Sequence, residues 1–200
     1  NPFEQTLTGT AASDSLTGGV GTDYVSGMAG NDTIDGGGWD DVIDGGPGND
    51  VILFGRGSGF DQINPFTLAE RIGDVVQLKD GVTPDDIVLR AVSTNPFQHN
   101  PALEISIKGT TDRLLIQNYF NRGYYSDLAS GFQGETIRFG DGTVWNGAAV
   151  RTHLQPASVV KDMLMGTAGA DVFSGGAGDD SIYGDAGGDT LNGDSGDDYL

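Results

Sequence analysis

The sequence predicts an all-β fold: a parallel β-roll in two arms, residues 1–63 and 166–200, with a small β-rich domain over 64–165 between them. Three observations in register carry this reading. Glycine recurs at every ninth residue, at Gly9, Gly18, Gly27, Gly36 and Gly45 and again at Gly166, Gly175, Gly184 and Gly193. Five positions after each stands an aspartate: Asp14, Asp23, Asp32, Asp41 and Asp50, then Asp171, Asp180, Asp189 and Asp198. Two further on comes an apolar residue: Leu16, Val25, Ile34, Ile43 and Ile52, then Phe173, Ile182, Leu191 and Leu200.

Composition alone resembles disorder. Residues 9–53 and 166–200 hold 22 of the 34 glycines and 16 of the 29 acids, with no Lys or Arg. All 10 basic residues fall in 54–165, within a total formal charge of −19. A low-hydrophobicity, self-repelling chain is usually an unfolded linker. A linker has no reason to keep three positions in phase over nine copies, so the phase decides for structure. The charge also disfavours nucleic acid or an anionic membrane as partner, since both require clustered positive charge. No apolar run reaches the length of a membrane span. With zero Cys there are no disulfides and no thiolate chemistry.

Each nine-residue block holds about six turn formers and then three residues around a central aliphatic, as in GMAGNDTID (27–35) and GGAGDDSIY (175–183). Three residues make one very short strand whose middle side chain points inward. Alternating turn and strand winds the chain into a coil of two blocks, and successive coils stack as parallel strands roughly 4.8 Å apart. Leu16, Ile34 and Ile52 then line one inner face, opposite Leu7, Val25 and Ile43. Stacking also sets Asp14 over Asp32 and Asp50, and Asp23 over Asp41. Like charges at that spacing repel unless a cation lies between them. A hard divalent cation with six or more oxygen ligands fits, because glycine turns leave main-chain carbonyls free to point inward. Calcium suits such a site better than magnesium, which demands a small rigid octahedron. Zinc or iron would want Cys or His, and His99 and His153 both lie outside the arms.

These blocks resemble the GGxGxDxUx calcium-binding nonapeptide of RTX (haemolysin-type) proteins. The resemblance implies ligands from the carbonyls at block positions one, three and five and from the position-six carboxylate. In the first arm these are Asp14; Gly18, Val20, Thr22 and Asp23; Gly27, Ala29, Asn31 and Asp32; Gly36, Gly38, Asp40 and Asp41; and Gly45, Pro47, Asn49 and Asp50. In the second arm they are Gly166, Ala168, Ala170 and Asp171; Gly175, Ala177, Asp179 and Asp180; Gly184, Ala186, Gly188 and Asp189; and Gly193, Ser195, Asp197 and Asp198. Pro47 is harmless at position three, where only its carbonyl is needed. Position four is glycine in all blocks but those with Ala12 and Trp39, and Trp39 is expected to distort its turn or cap an edge. Pairing blocks two apart gives about five sandwiched Ca²⁺ ions, more if Asp61 or Asp162 completes an end site. Gly55, Gly57, Gly59, Asp61 and Ile63 read as one further coil with a two-residue insertion.

The middle segment changes grammar. Asp74–Leu78 and Ile87–Val92 read as strands, with Thr83 capping a short helical turn that starts at Pro84. Leu103–Ile107 and Leu114–Tyr119 form one hairpin, and Glu135–Phe139 with Thr143–Trp145 a second, while Ala148–Leu154 reads as a short helix. The stretches GVTPDDI (81–87), LEISIKGTTDRLLIQNYF (103–120) and ETIRFGDGTVW (135–145) resemble the haemolysin-type calcium-binding-protein-related domain. That resemblance implies no catalytic residue.

Enzyme motifs are missing: there is no HExxH, GxSxG or P-loop. Gly55–Gly59 imitates a phosphate loop but leads into a strand pattern. His99 reads as an exposed loop residue, His153 as a helix-end partner, and the aromatic run Tyr119, Phe120, Tyr124, Tyr125 and Phe132 with Arg122 as packing rather than a sugar platform. The expectation is a non-catalytic, calcium-folded structural module of a type I-secreted bacterial toxin, adhesin or surface protein. It would be extracellular, with calcium ions and neighbouring repeats of a larger parent as its partners. The alternative is part of an alginate epimerase or lyase-like enzyme with its site in 64–165. Asn1 and the unfinished block at Leu200 suggest a piece of a longer chain.

Overall fold

The computed structural model describes residues 4–64, 73–92, 102–117, 119, 136–154, 163–166 and 169–200. His99, Asp162, Ala168 and all of the aromatic run except Tyr119 lie outside them. The chain divides into two compact units, one of residues 1–88, 104–117 and 133–147, the other of 89–103, 118–132 and 148–200.

In the first unit the nonapeptides form a parallel β-roll. Odd-numbered strands build one sheet: β1 (Thr6–Thr8), β3 (Tyr24–Ser26), β5 (Val42–Asp44) and β7 (Phe60–Ile63), side by side in that order. Even-numbered strands build the other: β2 (Ser15–Thr17), β4 (Thr33–Asp35), β6 (Val51–Phe54) and β8 (Val75–Leu78). Register follows the period. Leu7 pairs with Val25, Val25 with Ile43 and Ile43 with Ile63. On the other sheet Leu16 pairs with Ile34, Ile34 with Ile52 and Ile52 with Val76. Val25, Ile34, Ile43 and Val76 are completely buried, which makes the thin aliphatic core the period predicts.

Both sheets run on past Ile63. Strand β11 (Arg113–Ile116) pairs in parallel with β7, and β10 (Ala102–Ile107) lies beside β11. Beyond β10 starts β9 (Ile87–Val92), where Ser106 Oγ donates to Val88 O at 3.3 Å and Lys108 N to Asp86 O at 2.8 Å. Strand β12 (Thr136–Arg138) pairs in parallel with β8 and antiparallel with β13 (Val144–Trp145). The second hairpin is therefore present, and one of its strands is also a rung of the roll. A bulkier core forms there: Phe54, Leu78, Ile105, Leu114, Ile116, Ile137 and Phe139 are almost wholly buried, and Phe139 meets Trp145 edge-on at 4.8 Å. Pro84–Asp86 form a 3-10 turn, with Thr83 N and Oγ1 both donating to Asp86 Oδ2 at 2.9 and 2.8 Å.

In the second unit α1 (Gly147–His153), from Ala148 on, precedes another stretch of roll. Strand β14 (Met163–Met165) pairs in parallel with β16 (Ser181–Tyr183), and β15 (Val172–Ser174) with β17 (Thr190–Asn192). Leu164 lies level with Ile182 and Phe173 with Leu191, again one coil apart. Among the described residues no helix is long and apolar enough to cross a membrane.

Candidate metal centre

Turn conformation follows from block position. In the blocks that start at Gly27, Gly36, Gly45, Gly175, Gly184 and Gly193, positions two and four fall in the left-handed region, as at Gly46 (φ +88°) and Gly48 (φ +154°). A side chain at either would strike a main-chain carbonyl of the previous coil, that of Met28 or of Gly30, so glycine is required on two counts. Trp39 keeps the same geometry with φ +86° and is 68% exposed, so the turn is strained rather than rerouted.

The aspartates form two columns in the first arm. Each backbone N–H donates to Oδ1 of the aspartate one coil later: Asp14 to Asp32, Asp23 to Asp41 and Asp32 to Asp50, all at 2.8 Å. Asp41 continues to Asp61 at 3.1 Å over a spacing of 20 residues, as the two-residue insertion requires. Asp50 continues to Asp74 at 2.8 Å over 24 residues. Sequence reading left Asp74 out, because it follows no glycine in phase; only its place just before a strand marks it. In the second arm Asp171 donates to Asp189 at 3.0 Å and Asp180 to Asp198 at 2.9 Å.

The second carboxylate oxygen faces elsewhere. Asp32 Oδ2, Asp41 Oδ2 and Asp50 Oδ2 are buried and accept no hydrogen bond. A Cβ on Gly27 would collide with both Asp32 Oδ2 and the Gly45 carbonyl. The same pair, the block's own carboxylate and the position-one carbonyl of the block two on, surrounds Gly9 (Asp14, Gly27), Gly18 (Asp23, Gly36), Gly166 (Asp171, Gly184) and Gly175 (Asp180, Gly193). Glycine at position one thus leaves room for converging oxygens. A buried, unpaired anionic oxygen beside a carbonyl is costly unless a cation joins them. Among the described residues no three Asp, Glu or His side chains converge. An ion here has to take most of its oxygens from the main chain, which suits calcium and excludes a zinc-type donor set.

Other expected ligands are partly engaged. The position-three carbonyls of Gly38, Pro47 and Ser195 accept from Gly21, Gly30 and Gly178 N at 3.3, 3.0 and 2.8 Å, which leaves each one lone pair. Position-five side chains bind between coils: Asn31 Oδ1 accepts from Asn49 N and Asp179 Oδ1 from Asp197 N, both at 3.0 Å. Asp14 and Asp23 are less bare than Asp32, since Thr10 N and Gly19 N donate to their Oδ2 at 2.6 and 2.9 Å. Burial, reinforced by Asp23, Asp35 and Asp40, pushes the Asp41 carboxyl up to about 6 against the opposing Asp23 N–H bond. Burial likewise raises Asp50, and it lifts Asp61 to about 8.

The family model for the RTX calcium-binding nonapeptide repeat (4 copies) matches residues 3–34, 26–61 and 165–200. Both arms are RTX calcium-binding repeat arrays. Between the RTX arrays, residues 103–149 match the haemolysin-type calcium binding protein related domain, the segment that supplies β10 to β13. No curated protein matches this chain. Among solved structures it is similar to the solution structure of a subunit of the Azotobacter vinelandii mannuronan C5-epimerase. The two share 22% identity over 57% of this chain and 70% of the other, with a TM-score of 0.41.

Proposed function

We propose that this chain is a calcium-folded structural module of a type I-secreted bacterial protein, a toxin, adhesin or surface protein, and works by folding rather than by turnover. The observation that carries the reading is the buried Asp32 Oδ2, left without a hydrogen bond beside the inward carbonyl of Gly45, in a carboxylate–carbonyl pairing that recurs in both arms. Calcium bound there would supply positive charge and oxygen coordination at once. The Asp14–Gly27, Asp23–Gly36, Asp32–Gly45, Asp171–Gly184 and Asp180–Gly193 pairs would hold about five ions, offsetting about ten of the negative charges. The resemblance supplies the remaining donors at positions three and five.

Binding free energy is then folding free energy. In a low-calcium compartment the arms' own charge keeps the chain extended and fit for export. Outside, at roughly millimolar calcium, it orders. Circular dichroism and calorimetry during a calcium titration test this. The expected result is β-signal appearing with the uptake of about five ions. A chain equally structured in EDTA overturns the proposal.

A further inference from the structure

The odd-sheet aspartate column, Asp23–Asp41–Asp61, ends in a place unlike its other rungs. One residue beyond the pair Asp35–Leu53, Phe54 stands level with Gly36. It is the residue whose carbonyl would follow that of Gly36 in the column. Phe54 instead extends β6 by one residue and is wholly buried, and its carbonyl accepts Lys79 N at 2.9 Å. Around Gly36 the nearest neighbours of a Cβ are all atoms of Asp41, at 2.5 to 3.0 Å, with no carbonyl of the next coil among them.

The Lys79 side chain fills the space beyond. A Cβ on Gly55 would meet Lys79 Cβ, Cγ and Cδ at 2.6, 3.0 and 3.0 Å, so the aliphatic stem lies along that glycine. Its ammonium donates to Asp35 Oδ1 at 2.7 Å and to Ser58 Oγ at 3.3 Å. Ser58 is itself buried and accepts Gly55 N at 3.2 Å, which fixes the site from the loop side. Asp112 takes the loop's other amides, Gly57 N at 3.0 Å and Gly59 N at 2.9 Å. The loop amides of Gly55, Gly57 and Gly59 and the Lys79 ammonium are thereby committed to partners within the chain.

The geometry points to Lys79 as a built-in cation that ends the calcium column, so that Asp61 continues the hydrogen-bonded stack without holding an ion. This rests on the calcium reading above and fixes where it stops. An ammonium is charged like a metal ion but offers only donors, so a carbonyl ring is not needed around it. Its positive charge also acts on the Asp61 carboxyl.

Calcium titration of the full chain, with ions counted by calorimetry and folding followed by circular dichroism, tests the assignment. Asp61→Asn should bind as many ions as the unaltered chain, and loss of one ion in that variant overturns the proposal. Lys79→Met should raise the calcium midpoint of folding severalfold, Lys79→Arg should stay near the unaltered midpoint, and adding Asp61→Asn to Lys79→Met should recover part of the shift. A Lys79→Met midpoint equal to that of the unaltered chain also overturns it. If the unaltered chain neither binds calcium nor folds with it, the calcium reading itself fails, which is a different result from either.

Discussion

A carboxylate buried among other carboxylates is unfavourable on its own, and Asp41 registers this in its proton affinity. Its value rises from 3.8 to about 6, and that of Asp61 to about 8, with burial the largest cause in both. The folded, ion-free chain therefore binds these protons more tightly than the unfolded chain does. The associated stability is present in full below about pH 4 and is lost as pH climbs through about 6 for Asp41 and about 8 for Asp61. Calcium competes with protons for the carboxylates that hold it, so its dependence has the opposite sign. In EDTA the β-signal should be stronger at pH 5 than at pH 8, while the calcium midpoint should rise as pH falls. Circular dichroism over a pH series with and without calcium reads both trends, and parallel trends would contradict the account. Trp39 shows what block position can impose, since even a bulky residue accepts φ +86° there.

Strands of three residues gain little from propensity and depend on the one inward side chain. Ile34 sits in the middle of β4, wholly buried and paired on both sides, with Leu16 and Ile52. Ile34→Ala should cost about 2–5 kcal/mol by the usual range for a buried aliphatic, with the calcium-loaded protein unfolded in urea as the measurement. Such strands are legible in sequence because a fixed period of nine sets their start, centre and register together. The sequence therefore yields Leu7 against Val25, Ile34 against Ile52 and the two-residue slip at Asp61. The middle segment is legible only locally. Its hairpin of Thr136–Arg138 with Val144–Trp145 follows from alternation and a Gly-Asp-Gly turn, but the parallel pairing of Ile137 with Val76 does not. Nothing in a local pattern names a partner some 60 residues away, since the register is set by burial against the existing sheet. The same holds for Asp74 and for Lys79, whose roles come from the coils they stack on and not from their own neighbours in sequence.

At the scale of the whole molecule, charge decides whether these elements exist at all. Sixteen of the negative charges lie in residues 9–53 and 166–200, which hold no Lys or Arg, so repulsion within them has no internal relief. Monovalent salt shortens the range of that repulsion to a few ångströms at about 0.5 M but supplies no coordinated ion for the buried oxygens. The ion-free chain should compact only partly on adding NaCl and should collapse fully with calcium, as followed by small-angle scattering. Full folding in NaCl alone would show that screening, not coordination, is what the arms lack. The aspartate columns have one more property, a polarity. Each bond of the column runs from the amide of an earlier coil to the carboxylate of a later one. A carboxylate that loses its donor turns to water at little cost, whereas a buried amide that loses its acceptor does not. Stripping coils from the front of the first arm should thus be tolerated and stripping them from its far end should not. Order has to spread backward along the chain, each coil waiting for residues numbered after it.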